Sequence, residues 1–95
     1  MDCGEIVFSG HILRRMFERR IEFDDVLAVI RSGEVIEDYA DDLPFPSALV
    51  LGQRDLRPLH VVVARDPATR RCVAVTVYEP DWDEWSPDFR RRLTP

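Results

Sequence analysis

Apolar positions recur along the chain first with a helical period and then with a two-residue one. At 100° per residue Ile12, Leu13, Met16 and Phe17 share one face, His11, Arg15 and Glu18 lie opposite, and Arg19 falls on the border. Ser9 stands where an N-cap belongs, so a first helix is expected to run from it to Arg19. One more residue would turn Arg20 into the core. Asp24 or Asp25 caps a second short helix through Ile30-Arg31, burying Val26, Leu27, Val29 and Ile30, with Gly33 as a left-handed stop. Ahead of both, Ile6-Val7-Phe8 reads as a bridge or a brief strand.

From Glu34 the pattern becomes extended. Strands are expected at residues 34–39, 48–53, 59–65 and 71–79, the last two joined by the turn Asp66-Pro67-Ala68-Thr69-Arg70. Pro44 and Pro46 remove ladder donors and make residues 41–46 a loop, an apolar lid with no chemistry of its own. A helical turn is expected over residues 87–92. The result is one α+β domain spanning residues 1–95: two N-terminal helices packed on a four-stranded antiparallel sheet. Pairing Arg65 with Arg71 sets Val63 against Val73, Val61 against Val75 and Leu59 against Val77 on one face. On the other face His60 then opposes Thr76, with Tyr78 diagonal to it.

Composition narrows the class. Among 95 residues, 45% are hydrophobic, and no apolar run reaches membrane-spanning length, so a soluble domain is expected. The acidic start Met1-Asp2-Cys3-Gly4-Glu5 is unlike a secretory signal. Cys3 and Cys72 have no metal spacing and are too few for a disulfide framework; Cys72 reads as a small buried hydrophobe. A reduced, cytoplasmic setting follows. The net charge of −5 is opposite to the usual footprint of a nucleic-acid binder, yet all 13 basic residues are Arg and they are clumped. Acidic groups cluster too, at Glu37-Asp38, Asp41-Asp42 and from Asp81 to Glu84. Such polarity suits RNA at one patch or a basic protein at another.

The candidate chemistry is a phosphodiester site. His11, Arg15 and Arg19 recur at i, i+4 and i+8, roughly 5–6 Å apart along one side of a helix. His11 also falls in the first turn, where the helix dipole favours an anion. The same three residues also read as a solvated face paired with Glu18 and Glu22. His60 interrupts an apolar strand, either as a half-buried structural histidine or as an acid/base beside Tyr78. Arg15, Arg19 and Thr76 would bind substrate, and His60, His11 and Tyr78 would act on it. RNA carries its own 2′-OH nucleophile, so no metal or cofactor is required, and the sequence offers no metal set. Trp82 and Trp85 read as docking onto a sheet edge or another chain rather than as base-stacking groups. An exposed edge strand would invite pairing of two copies.

The run His11-Ile12-Leu13-Arg14-Arg15-Met16-Phe17-Glu18-Arg19-Arg20-Ile21, then Asp25-Val26 and Gly33-Glu34-Val35-Ile36, resembles the bacterial family catalogued as domain of unknown function 4258. So do Pro58-Leu59-His60-Val61-Val62 and Thr76-Val77-Tyr78-Glu79-Pro80 followed by Trp85. That family looks like a branch of the RelE/ParE toxin superfamily, which holds mRNA endonucleases, some acting on the ribosome, and gyrase poisons, each neutralised by an antitoxin. The resemblance implies a RelE/ParE-like fold and a toxin-like endoribonuclease with an antitoxin partner, and His11, Arg15, Arg19, His60 and Tyr78 as the matching polar positions. A non-catalytic protein-binding module or ParE-like inhibitor is the competing expectation, and an inactive member of the fold a third.

Overall fold

The computed structural model describes residues 1–94. Its elements are β1 (Glu5–Phe8), α1 (Gly10–Arg19), α2 (Phe23–Ser32), β2 (Glu34–Tyr39), β3 (Ser47–Arg54), β4 (Arg57–Arg65) and β5 (Arg71–Tyr78). They build one five-stranded sheet in the order β1-β5-β4-β3-β2. β1 pairs parallel to β5 and the other neighbours are antiparallel. The expected four-stranded antiparallel sheet behind two N-terminal helices is therefore wrong. Ile6-Val7-Phe8 is a full edge strand, and the helices lie between strands, carrying the chain from one edge of the sheet to the other.

Local sequence explains most boundaries. The Ser9 side chain accepts a hydrogen bond from the Ile12 amide and caps α1. Arg20 ends it in the left-handed conformation at φ 55°, where the chain turns before its side chain would enter the core. α2 starts two to three residues earlier than expected, on a capping box between Glu22 and Asp25. Gly33 is not left-handed: its φ is −75°, open to any residue. Glycine is needed there for space, because a Cβ would stand 2.4 Å from the Val29 carbonyl oxygen and 2.6 Å from that of Leu51.

One sheet face is covered by the helices. Ile12, Met16, Val26, Val29 and Ile30 bury against Val50, Leu59, Val61, Val63, Cys72, Ala74 and Val77. Leu13 and Phe17 do not join them, although their helical spacing suggested it; they stay 49% and 88% exposed. The opposite face has no helix. It is covered by the C-terminal segment, a strap whose Trp85 and Phe89 pack with Leu49 and Leu51. Instead of the expected helical turn, the strap folds back on itself through a bridge between Trp85 and Arg92. Trp85 thus docks on the face of the sheet, while Trp82 stays exposed with its edge against Phe89.

Two further expectations fail. A bulge at Val62/Val63 shifts the last hairpin, so His60 pairs with Tyr78 and Thr76 with Val62. Cys3 and Cys72 are joined as a disulfide, Cα to Cα 5.7 Å, rather than standing apart. The parallel pairing of β1 with β5 brings Arg70 against the N-terminal residues, where the Gly4 amide donates to its carbonyl at 2.8 Å. That pairing sets Cys3 beside Cys72, an approach across 69 residues that spacing alone does not reveal.

Crowding at Gly33 predicts that Gly33→Ala lowers the unfolding free energy by about 1–3 kcal/mol. Gly10→Ala meets nothing within 4 Å and should be neutral or slightly stabilising. Urea denaturation of the two variants checks the contrast.

Candidate functional site

The six polar positions picked from the sequence separate into two groups. His60 and Tyr78 meet on the helix-free face, under the strap. His60 is 0% exposed. Its Nε2 lies 2.9 Å from the Phe89 carbonyl oxygen, which only accepts, so Nε2 carries the proton and donates. Nδ1 is then the acceptor for the Tyr78 hydroxyl, 3.2 Å away. The Trp85 ring stands edge-on to the imidazole at 4.4 Å. Neutral imidazole is satisfied at both nitrogens and has no contact with solvent.

Burial sets the charge state of the pair. Loss of hydration holds the His60 imidazole below its ordinary value of 6.5, against an opposing effect of its bond to Phe89. The same cause pushes the Tyr78 phenol up to about 12. Each group is held neutral, and the one phenolic proton is committed to His60. At the mouth of this layer the Tyr39 hydroxyl donates to Glu37, whose carboxylate also meets Arg92 at 3.4 Å. Arg92 lies over Trp85 at 4.7 Å. Sequence reasoning did not pick Glu37, Tyr39 or Arg92. The signal was available as two aromatics, Trp85 and Phe89, set in a charged tail, a composition that demands a docking surface.

The second group is open to water. His11 Nε2 lies 3.0 Å from the Thr76 hydroxyl, a contact that joins α1 to β5. Ser9 supports it: its amide donates to the Ala74 carbonyl at 3.1 Å and its hydroxyl to that of Val75 at 2.9 Å. β1 pairs only as far as Ala74, which leaves the rest of β5 to be flanked by α1. At the other end Arg57 donates to the carbonyl oxygens of Arg19 and Arg20, both at 3.2 Å, and to the Glu79 carboxylate. α1 is thus fastened along β5 at both ends. His11, Arg15 and Arg19 are all exposed on it, Arg15 making only a long 3.9 Å contact with Glu18. Arg19 borders a recess of about 450 Å3 shared with Arg57, Glu79 and Trp82.

Of the six positions, those on the helix and those on the sheet meet through His11 and Thr76. The pair His60–Tyr78 belongs to the layer beneath the strap. Chemically, the open group offers an imidazole fixed by a hydroxyl, followed by two guanidinium groups on successive turns: a surface suited to a phosphodiester. Among the described residues no group of three or more His, Cys, Asp or Glu side chains is arranged to hold a metal ion. Among the described residues no helix is long and apolar enough to cross a membrane.

Removing the buried imidazole empties a cavity and orphans the Phe89 carbonyl and the Tyr78 hydroxyl, so His60→Ala should cost about 2–4 kcal/mol of unfolding free energy. The unfolded chain binds a proton at His60 near pH 6.5, whereas the folded chain resists it. Stability contributed by the neutral imidazole is thus complete above that pH and falls as the pH drops through it towards the lower folded value. Urea titrations between pH 8 and 5 should show this decline in the wild type and a shallower one in His60→Ala.

No curated protein and no solved structure matches the chain. Residues 8–79, from the end of β1 to just past β5, match the family described as Domain of unknown function (DUF4258). That stretch includes both polar groups and stops short of the strap, and over most of its length the chain belongs to this family.

Proposed function

We propose that the chain is a toxin-like, metal-independent endoribonuclease of the RelE/ParE-like kind, with RNA as substrate and an antitoxin protein as partner. The observation that carries this reading is the exposed His11, held by Thr76 at 3.0 Å, in line with exposed Arg15 and Arg19. His11 takes the proton of a ribose 2′-OH, the 2′-oxygen attacks the adjacent phosphorus, and the 5′-oxygen leaves and takes a proton from water. The product is a 2′,3′-cyclic phosphate. Arg15 and Arg19 bind the phosphate and offset the charge that develops on it. Thr76 orients the imidazole. His60 and Tyr78, with no proton free for a substrate, serve the fold.

One observation favours the second reading, a protein-binding module. Leu13 and Phe17 occupy the flank of α1 away from the arginines and are largely exposed, a surface that suits a protein partner better than RNA.

The two readings part in a cleavage assay with purified chain and RNA, free or ribosome-bound. A nuclease releases fragments ending in cyclic phosphate. Its rate should drop about 100-fold or more in His11→Ala, and as clearly in Arg15→Ala, with the melting temperature almost unmoved. Tyr78→Phe should retain cleavage. Failure of the wild type to cut any RNA rejects the nuclease and leaves the binding module.

A further inference from the structure

The strap covers only part of the helix-free sheet face. Beyond it, the loop between β2 and β3 stands off from β4 and β5 and leaves a cleft of about 330 Å3. Its floor is Val62, Ala64, Val73 and Val75, all only partly buried, and its wall includes Leu43 and Phe45. Leu43 at the lip is 90% exposed. One end of the cleft is polar: the buried Ser47 hydroxyl donates to one oxygen of Asp42 and fixes that carboxylate at the entrance. Of the acidic residues Asp42 lines the cleft, and among the described residues no ion pair reaches it.

We propose that this cleft docks a segment of a partner protein that inserts one apolar side chain over Val62 and Val75 and sets a Lys or Arg against Asp42. Apolar lining sets the side chain, and the unmatched Asp42 carboxylate sets the sign of its neighbour. A cation arriving there meets a carboxylate already held in place by Ser47, so little ordering opposes the contact. An anionic segment would be repelled by the same carboxylate. The floor of the cleft adjoins the His11–Thr76 contact, since Val62 pairs with Thr76, but His11, Arg15 and Arg19 do not line it, and the proposal does not depend on the nuclease reading.

Methyl-resolved NMR of the full chain tests it, with two capped peptides as probes: acetyl-Lys-Leu-Phe-Arg-amide and acetyl-Glu-Leu-Phe-Glu-amide. The basic peptide should shift the methyls of Val62, Val73 and Val75, and the acidic one should leave them unmoved. Asp42→Asn and Leu43→Ala lie at exposed positions, and an Asn oxygen still accepts from Ser47, so both variants keep the loop. Each should weaken the basic peptide at least tenfold. Equal shifts from both peptides, shifts confined to other residues, or undiminished binding to Asp42→Asn would overturn the proposal. So would movement of the same methyls with protein concentration alone, which would make a second copy the occupant.

Discussion

Helices cover one side of this sheet, and the other side has to be closed by whatever chain remains after β5. That closure hangs on an imidazole. His60, in the middle of β4, donates from Nε2 to the carbonyl of Phe89 and accepts at Nδ1 from Tyr78, so one side chain links two strands to the strap. Phe89 holds a left-handed backbone at φ 62°, a conformation that costs a residue with a side chain about 1–2 kcal/mol. The bond from His60 and the bond from the Phe89 amide to the Ser86 carbonyl at 2.8 Å offset that cost. Trp85 and Phe89 add the apolar burial that makes the strap part of the core. Ion pairs from Arg90 to Glu34 and from Arg92 to Glu37 then fasten its end to β2.

This arrangement divides the polar residues by what surrounds them. Groups under the strap are desolvated, and desolvation keeps both the imidazole and the phenol uncharged. His11, Arg15 and Arg19 along α1 stand in water. The division is a consequence of topology. β1 pairs with only the first half of β5, so α1 flanks the second half and brings His11 to Thr76. Had β1 continued, that contact would have been replaced by backbone ladder bonds.

Much of the fold could be read from residue order. The period of Ile12 and Met16, the Ser9 cap, the alternation of Val61 and Val63 and the turn before Arg71 each act locally, and each element appears close to its expected place. What escaped depends on distant partners. A four-residue β1 carries too short a pattern to announce parallel pairing with a strand near the other end of the chain. The bulge at Val62/Val63 leaves no mark in an alternating apolar run, yet it exchanges Thr76 for Tyr78 opposite His60. Leu13 and Phe17 have the right spacing for a core and no surface to meet. Of the site, the stripe on α1 was legible because helical spacing alone aligns it. The fate of His60 was not, because the Phe89 carbonyl that satisfies it comes from irregular chain 29 residues away.

The claim that most of this rests on is that His60 is a sealed, neutral, Nε2-protonated imidazole. Long-range 1H–15N correlation spectra of the histidine rings, recorded from pH 8 downward, read the tautomer and its protonation directly. The account predicts that the His60 ring carries its proton on Nε2 and remains neutral at pH 6.5, below which an ordinary histidine is mostly charged. An Nδ1-protonated ring, or one that titrates at the ordinary value, would contradict it.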